Sequence, residues 1–286
     1  MKKYFSLVLF AHTVFAMPFA FIGFFLAITT TDHEFNWLKL ILMVLCMVFA
    51  RNAAMAFNRF LDRDIDAQNP RTMIRDIPSG RISSNEALLF TIVNSLLFVL
   101  AALLINKLCF YLSPVALAVV LGYSYTKRFT PLCHLILGLG LALAPIGAYL
   151  AVSGEFAMLP IYFSLAVLCW VSGFDIIYAL QDDEFDRKNK LNSIPAWLGR
   201  KRALHVSSLL HLLSVVFVTL PYIFSDLSWF YLSGVLFFIL LLIYQHQLVK
   251  PNDLSKVNRA FFTTNGIASV VFAVFFLMDT YLRNQL

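Results

Sequence analysis

Asn58, Asp62 and Asp66 stand four residues apart in the stretch RNAAMAFNRFLDRDIDAQNPRTMIRDIPSG, residues 51–80. At 100° per residue they share, with Arg51, about 100° of arc on one helix face. Oxygen-bearing side chains at i, i+4 and i+8 can converge on a hard divalent cation such as Mg²⁺. Arg51 lies two turns back on that face, where a lone charge is expensive in lipid. A metal face with a buried arginine behind it suits a phosphorylated ligand. The competing reading is a solvated helix end laced by i,i+4 ion pairs.

A second cluster decides between them. Asp175, Asp182 and Asp186 stand at i, i+7 and i+11, within about 40° of arc on a helix face, and Tyr178 lies among them. Asp62 and Asp182 each open a D-x-x-x-D at the end of an apolar run, in a chain with only 16 acidic residues. Two such faces at equal depth could hold Mg²⁺ ions that bridge one diphosphate. A third segment, Tyr123-Ser-Tyr125-Thr-Lys127-Arg128, sets two cations beside two tyrosines. Alone it reads as an aromatic belt with positive-inside charge. Beside the acidic clusters, Lys127 and Arg128 become candidates for a diphosphate or an acidic co-substrate. His12, His134, His205 and His211 have no metal-site spacing and read as packing or interface residues. Asn94-Ser95 reads as a helix–helix hydrogen bond. Cys46, Cys109, Cys133 and Cys169 form no C-x-x-C and read as packing residues.

The elements that must position these residues are membrane helices. The 286 residues are 60% hydrophobic and 13% charged, with a mean hydropathy of +0.78. That composition calls for an all-α polytopic membrane domain over residues 1–286, not a soluble domain on an anchor. Nine spans are expected, near 4–28, 36–61, 86–105, 109–125, 132–152, 158–180, 203–223, 228–248 and 262–282. The first is too long for a signal-peptide core. With the N-terminus inside, 18 of the 22 basic residues fall on the cytoplasmic side. This bias accounts for the net charge of +6 and removes the case for a nucleic-acid partner. Both acidic clusters then face the cytoplasm, each followed by a loop of about 20 residues, expected to form a partial lid. Asn106-Lys107-Leu108 predicts a tight hairpin, Pro78-Ser79-Gly80 a turn, and Ser83 to Glu86 a capped helix start. Spans 2–5 and 6–9 form two pseudo-repeats, about 36–152 and 158–282, flanking a central cavity open to the cytoplasm.

These residues carry a family resemblance that covers essentially the whole chain. Arg51 with N-x-x-x-D-x-x-x-D at Asn58, Asp62 and Asp66 resembles the first motif of the UbiA-type intramembrane prenyltransferases. Arg71-Thr72, Arg75 and Pro78-Ser79-Gly80 match that family's R-T-x-x-R-P-x-P-S-G, with Asp76 in place of a proline. Tyr178-Ala179, Asp182 and Asp186 are similar to its Y-A-x-x-D-x-x-x-D. The Tyr123–Thr130 segment resembles its Y-x-x-x-K-R-x-T. Leu191, Ser193-Ile194-Pro195 and Gly199 resemble a run in the bacterial 4-hydroxybenzoate polyprenyltransferase-like branch, with Asn192 where that branch has histidine. Arg59 departs from the commoner Asn-Asp pairing.

The resemblance implies transfer of a polyprenyl chain from polyprenyl diphosphate to an aromatic acid, 4-hydroxybenzoate or a dihydroxynaphthoate, in ubiquinone or menaquinone biosynthesis. Mg²⁺ would be held by Asn58, Asp62, Asp66, Asp182 and Asp186. Arg51, Lys127, Arg128, Arg71, Arg75 and Tyr178 would bind substrate, and Asp175 or Asp182 would orient the acceptor hydroxyl. The expected home is the bacterial inner membrane, with the lipid bilayer and both substrates as partners and no obligate protein partner. The main alternative is an ion-coupled transporter. Carriers place their ion sites near the midplane, often in inverted repeats, whereas these clusters fall at helix ends in parallel repeats. A non-catalytic scaffold would not need so many membrane-proximal carboxylates.

Overall fold

An apolar chain in lipid must satisfy its backbone groups internally, and helices do so within one segment. The computed structural model describes residues 13–283, which form helices and connecting turns with no β-strand among them. In chain order the helices are α1 Thr13–Thr30, α2 Trp37–Gln68, α3 Ser84–Ile105, α4 Lys107–Thr126, α5 Cys133–Ser153 and α6 Met158–Ala179. There follow two short ones, α7 Asp183–Lys188 and α8 Ile194–Leu198, then α9 Arg200–Phe224 and α10 Trp229–Leu248. A π-helical turn, Arg259–Thr264, runs into α11, Asn265–Arg283. Eight of the helices, counting the π turn with α11, are long and apolar enough to cross a bilayer. The expected first span begins outside the described residues, as does His12.

The helix ends follow local chemistry. The Ser83 side chain accepts from the Glu86 N–H while Glu86 accepts from the Ser83 N–H, closing a capping box at the start of α3. Asn106 serves two helices as the hinge of the α3–α4 hairpin. Its carbonyl oxygen caps α4 at Cys109, and its amide donates to the Leu150 carbonyl of α5 at 2.8 Å. At the start of α10, buried Asp279 accepts from the backbone N–H groups of Ser228 and Tyr231.

Aromatic packing makes one side of the bundle solid. Phe19, Phe163, Trp170, Phe238 and Phe272 interlock with ring centroids 5.5–6.5 Å apart. The Trp170 indole donates to Asn265 at 3.1 Å. Helices α1 and α5 approach so closely that a Cβ on Gly23 would lie 2.0 Å from the Pro145 carbonyl oxygen. Asn94 makes the helix–helix bond expected of it: its Oδ1 accepts from Asn52 of α2 at 3.1 Å.

One local expectation fails. Asp175, Asp182 and Asp186 do not share a helix face, because α6 stops at Ala179 and a new helix starts at Asp183. Acidic side chains are unfavourable at a helix C-terminus and favourable at an N-terminus. Breaking the helix moves Asp183, Glu184 and Asp186 from the wrong end of one dipole into the first turn of another.

Candidate active site

The solid side leaves a cavity of about 700 Å³ bounded by α1 to α6 and the π turn. Along α5 it is lined from Leu137 to Ala151, about 21 Å of helix rise. Its walls are apolar over most of that length. Most of the polar lining comes from the middle and second half of α2, the 71–75 turn, the end of α4 and the last turns of α6: Arg51, Asn58, Arg59, Arg71, Arg75, Tyr123, Asp175 and Tyr178. Six of the expected site residues therefore line one cavity although they are spread over 128 positions of sequence, from 51 to 178.

The carboxylates of the two D-x-x-x-D motifs stand behind this lining, each already engaged. Buried Asp62 accepts from Lys127 Nζ at 2.5 Å and from Asn58 at 3.1 Å, with Arg128 3.1 Å from its Oδ1. Arg75 Nη1 donates to both oxygens of Asp66 at 2.7 and 2.8 Å. Arg71 grips Asp182 with Nε at 2.9 Å and with Nη2, and its third nitrogen donates to the Tyr178 hydroxyl at 3.0 Å. Burial opposes charge on Arg71, but Asp182 and Tyr178 together outweigh it, so its pKa rises above the ordinary value. Asp186 accepts from Ser193 at 2.8 Å. Burial pushes the Asp186 carboxyl up to about 6, against that hydrogen bond.

Two guanidinium atoms are left over. Arg51 Nε and Arg59 Nη1 are buried and have no hydrogen-bond partner, on residues that line the cavity. A buried donor without a partner is costly, and an anionic ligand in the cavity supplies what is missing. Above them the Tyr178 ring stacks on Phe261 at 4.1 Å, and Arg71 lies 5.3 Å over the same tyrosine. Phe261 sits in the π turn, a distortion frequent at functional sites.

The donors expected to hold a metal fit a hard divalent ion in kind. Asn58, Asp62, Asp66, Asp182 and Asp186 offer oxygen only, and Asp62 Oδ1 is a buried acceptor without a hydrogen bond. Among the described residues no three His, Cys, Asp or Glu are gathered ready for a metal. Asp62, Asp66 and Asp182 are instead paired with side-chain cations.

Sequence reasoning missed four participants. His134, expected to be a packing or interface residue, has its Nδ1 2.7 Å from Asp175 Oδ2. The partner is 41 residues away, so no spacing rule points to it. Asn69 donates to Asp182 at 3.0 Å and accepts from the Arg71 N–H at 2.9 Å. Asn followed by Pro at a helix end was the available signal for that turn. Arg59 was noticed only as a departure, and Phe261 not at all.

Similarities to known proteins agree with this geometry. A model of the UbiA prenyltransferase family matches residues 16–267. The chain is 34% identical over 250 residues to a 4-hydroxybenzoate octaprenyltransferase of Nitrosomonas europaea, covering 86% of this chain and 84% of the relative. A UbiA homologue of Aeropyrum pernix K1, solved without ligands, superposes with a TM-score of 0.84 at 32% identity, covering 94% of this chain and 98% of its own. A UbiA homologue of Archaeoglobus fulgidus, bound to DMAPP and Mg²⁺, shares the fold with a TM-score of 0.77 at 22% identity, covering 98% and 99%.

Proposed function

The chain belongs to the UbiA prenyltransferase family, and on that premise we propose that it alkylates a phenolic aromatic acid with a polyprenyl chain from polyprenyl diphosphate, releasing diphosphate. The reaction serves quinone biosynthesis, with 4-hydroxybenzoate or a dihydroxynaphthoate as acceptor. One observation carries this reading: a single cavity joins an apolar bore of about 21 Å to a polar end where two buried guanidinium atoms lack partners. A molecule with a long hydrocarbon tail and an anionic head matches both.

Asn58, Asp62 and Asp66 form one ligand set for Mg²⁺, and Asp182 with Asp186 the other. When bound, the metal neutralises the donor diphosphate and makes it a better leaving group. Arg71, Arg75, Lys127 and Arg128 already lie against those carboxylates. They turn to phosphate oxygens when the donor head arrives, and Arg59 meets that head with no bond to break. Phe174, Phe261 and Tyr178 present aromatic faces at the polar end, where they keep water from an allylic cation and stabilise it.

Arg51, deeper along α2, takes the acceptor carboxylate. Of the two candidates for the acceptor hydroxyl, the geometry supports Asp175, which lines the cavity, over Asp182, which is held by Arg71 and Asn69. In this reading the two pseudo-repeats supply one ligand set each, and the charge bias of the loops supports a site on the cytoplasmic face of the inner membrane. The carrier reading falls with the family membership, and Asp62, Asp66 and Asp182 are moreover held in ion pairs.

The test is direct. Purified protein with Mg²⁺, labelled geranyl or longer polyprenyl diphosphate, and each acceptor in turn should give a prenylated acid and stoichiometric diphosphate. Donor hydrolysis alone, or no turnover with any phenolic acid, refutes the reading.

A further inference from the structure

We propose that His134 is a positioning residue for the transfer: it aims the Asp175 carboxylate at the acceptor hydroxyl and ties it to the 191–199 segment. The inference rests on the prenyl-transfer reading and adds a residue that the two acidic motifs do not contain.

The geometry begins with two hydrogen bonds on one ring. His134 is buried at the start of α5, with Nδ1 2.7 Å from Asp175 Oδ2 and Nε2 3.3 Å from the backbone nitrogen of Ile194. A backbone N–H can only donate, so Nε2 accepts. The ring proton therefore sits on Nδ1 and is donated to Asp175. Only this neutral tautomer satisfies both contacts. The Ser172 hydroxyl donates to the His134 carbonyl at 3.1 Å, which braces α5 against α6 beside the pair.

Asp175 stands one turn before the end of α6, in an apolar stretch, and it lines the cavity. Among the described residues no lysine or arginine pairs with it and its one ion-pair partner is the His134 ring, in contrast to Asp62, Asp66 and Asp182. A histidine that merely filled core volume would leave no reason for a carboxylate at this depth. With Oδ2 held by the imidazole, Oδ1 is left for a ligand in the cavity.

The other side of the ring joins the pair to the metal-side loop. Ser193, next to Ile194, donates to Asp186 at 2.8 Å. The Asn192 N–H donates to the Lys127 carbonyl at 2.7 Å, and the Cys133 thiol reaches the Asn192 carbonyl at 3.4 Å. Movement of the 191–194 segment is thus transmitted to Asp175 through one imidazole.

In the reaction, the free oxygen of Asp175 accepts the hydroxyl proton as the ortho carbon of the ring bonds to C1 of the prenyl group. The C1–O bond breaks and its electron pair leaves on diphosphate. Asp175 returns the proton to the oxygen when the ring carbon loses its own proton to the departing diphosphate, and aromaticity is restored. One C–C bond replaces one C–H bond and one C–O bond, and the net proton leaves with diphosphate.

The experiment uses the full chain with geranyl diphosphate and either 4-hydroxybenzoate or its methyl ether, 4-methoxybenzoate, which has no hydroxyl proton to give. Misplacing Asp175 by an ångström should cost about a hundredfold in kcat with 4-hydroxybenzoate in His134→Leu. The slow rate with the methyl ether and the KM for geranyl diphosphate should not change, so discrimination between the two acceptors collapses. His134→Gln, whose amide can donate to Asp175, should stay within about fivefold of wild type. Asp175→Asn should lose as much as His134→Leu, and the double variant should be no worse than either, as for residues acting as a unit. Asp175→Asn and His134→Gln decide the matter even if His134→Leu does not accumulate. Equal loss with both acceptors, unchanged discrimination, or additive losses in the double variant would overturn the role of His134. A wild-type protein that prenylates neither acid would instead overturn the transferase reading, and this inference with it.

Discussion

Replacing Asp62 with Asn separates a metal ligand from a structural ion pair, because the two roles predict effects of different size. Asp62 is buried and neutralised by Lys127 and Arg128. Stranding a charge in a dry interior costs about 3–5 kcal/mol. Here the stranded cations are 29% and 31% exposed, so water takes much of that back. The Asn58 amide keeps an oxygen to donate to. A stability loss of about 1–2 kcal/mol follows, and a protein that still folds. Catalysis should suffer more: losing one ligand's charge at the leaving group is expected to cut the rate at least about a hundredfold, some 2.7 kcal/mol. The assay is prenyl transfer by the purified variant across a Mg²⁺ titration, beside a thermal melt. Lys127→Met is the control, since it frees the carboxylate instead of removing it. Its Mg²⁺ requirement should fall while its KM for the donor rises. A variant Asp62→Asn that melts like the wild type and transfers at near its rate would show that this carboxylate is no metal ligand.

Asp182→Asn should behave as Asp62→Asn does, and if it transfers normally the second ligand set is wrong. Excess chelator should abolish transfer and added Mg²⁺ restore it; turnover in chelator would contradict the oxygen-donor argument. Arg59→Gln should raise the KM for the donor diphosphate about tenfold, as loss of one charge-assisted bond would, with the acceptor KM unchanged; inorganic diphosphate as a competitive inhibitor should weaken in parallel. Gly23→Ala should lower stability by about 1–3 kcal/mol without touching the site, because its Cβ would meet the Pro145 backbone; an unchanged melting curve would contradict the close approach of α1 and α5. A cysteine at position 190 should be labelled from the cytoplasmic side only, and labelling from outside would invert the topology.

Much of this was legible because apolar runs and helix caps are local. Ser83 and Glu86 lie three residues apart, and a capping box needs nothing further away. The hinge role of Asn106 was visible for the same reason, though not its bond to Leu150 on another helix. The D-x-x-x-D spacing located both carboxylate clusters. It misplaced the second by assuming one unbroken helix, since periodicity carries no information on where a helix prefers to stop and restart. The pairing of each carboxylate is a tertiary fact. Arg71 is 111 residues from Asp182, and Lys127 is 65 from Asp62. His134 lay furthest from view: a lone histidine in an apolar run is commonly packing, and only the meeting of α5 with α6 gives it a carboxylate.

The ion pairs also bear on how such a site survives without substrate. Four carboxylates at the end of an apolar cavity repel one another, and their desolvation is not offset unless cations stand beside them. In the ligand-free protein Lys127 and Arg128 supply that charge to Asp62, Arg75 to Asp66 and Arg71 to Asp182, while Asp186 is held by the Ser193 hydroxyl. A donor arriving with its metal brings charge of both signs. On the proposed reading, Asp62, Asp66 and Asp182 can each exchange a side-chain cation for a metal ion while the released cation moves to a phosphate oxygen. Exchange of this kind keeps the cost of loading small, whereas empty metal sites held rigidly apart would have to be stabilised by the fold alone. Arg59 stands outside the exchange. Its Nη1 has no protein partner to leave, so it can hold the diphosphate before any pair has opened, and removing it should slow donor capture more than the chemical step.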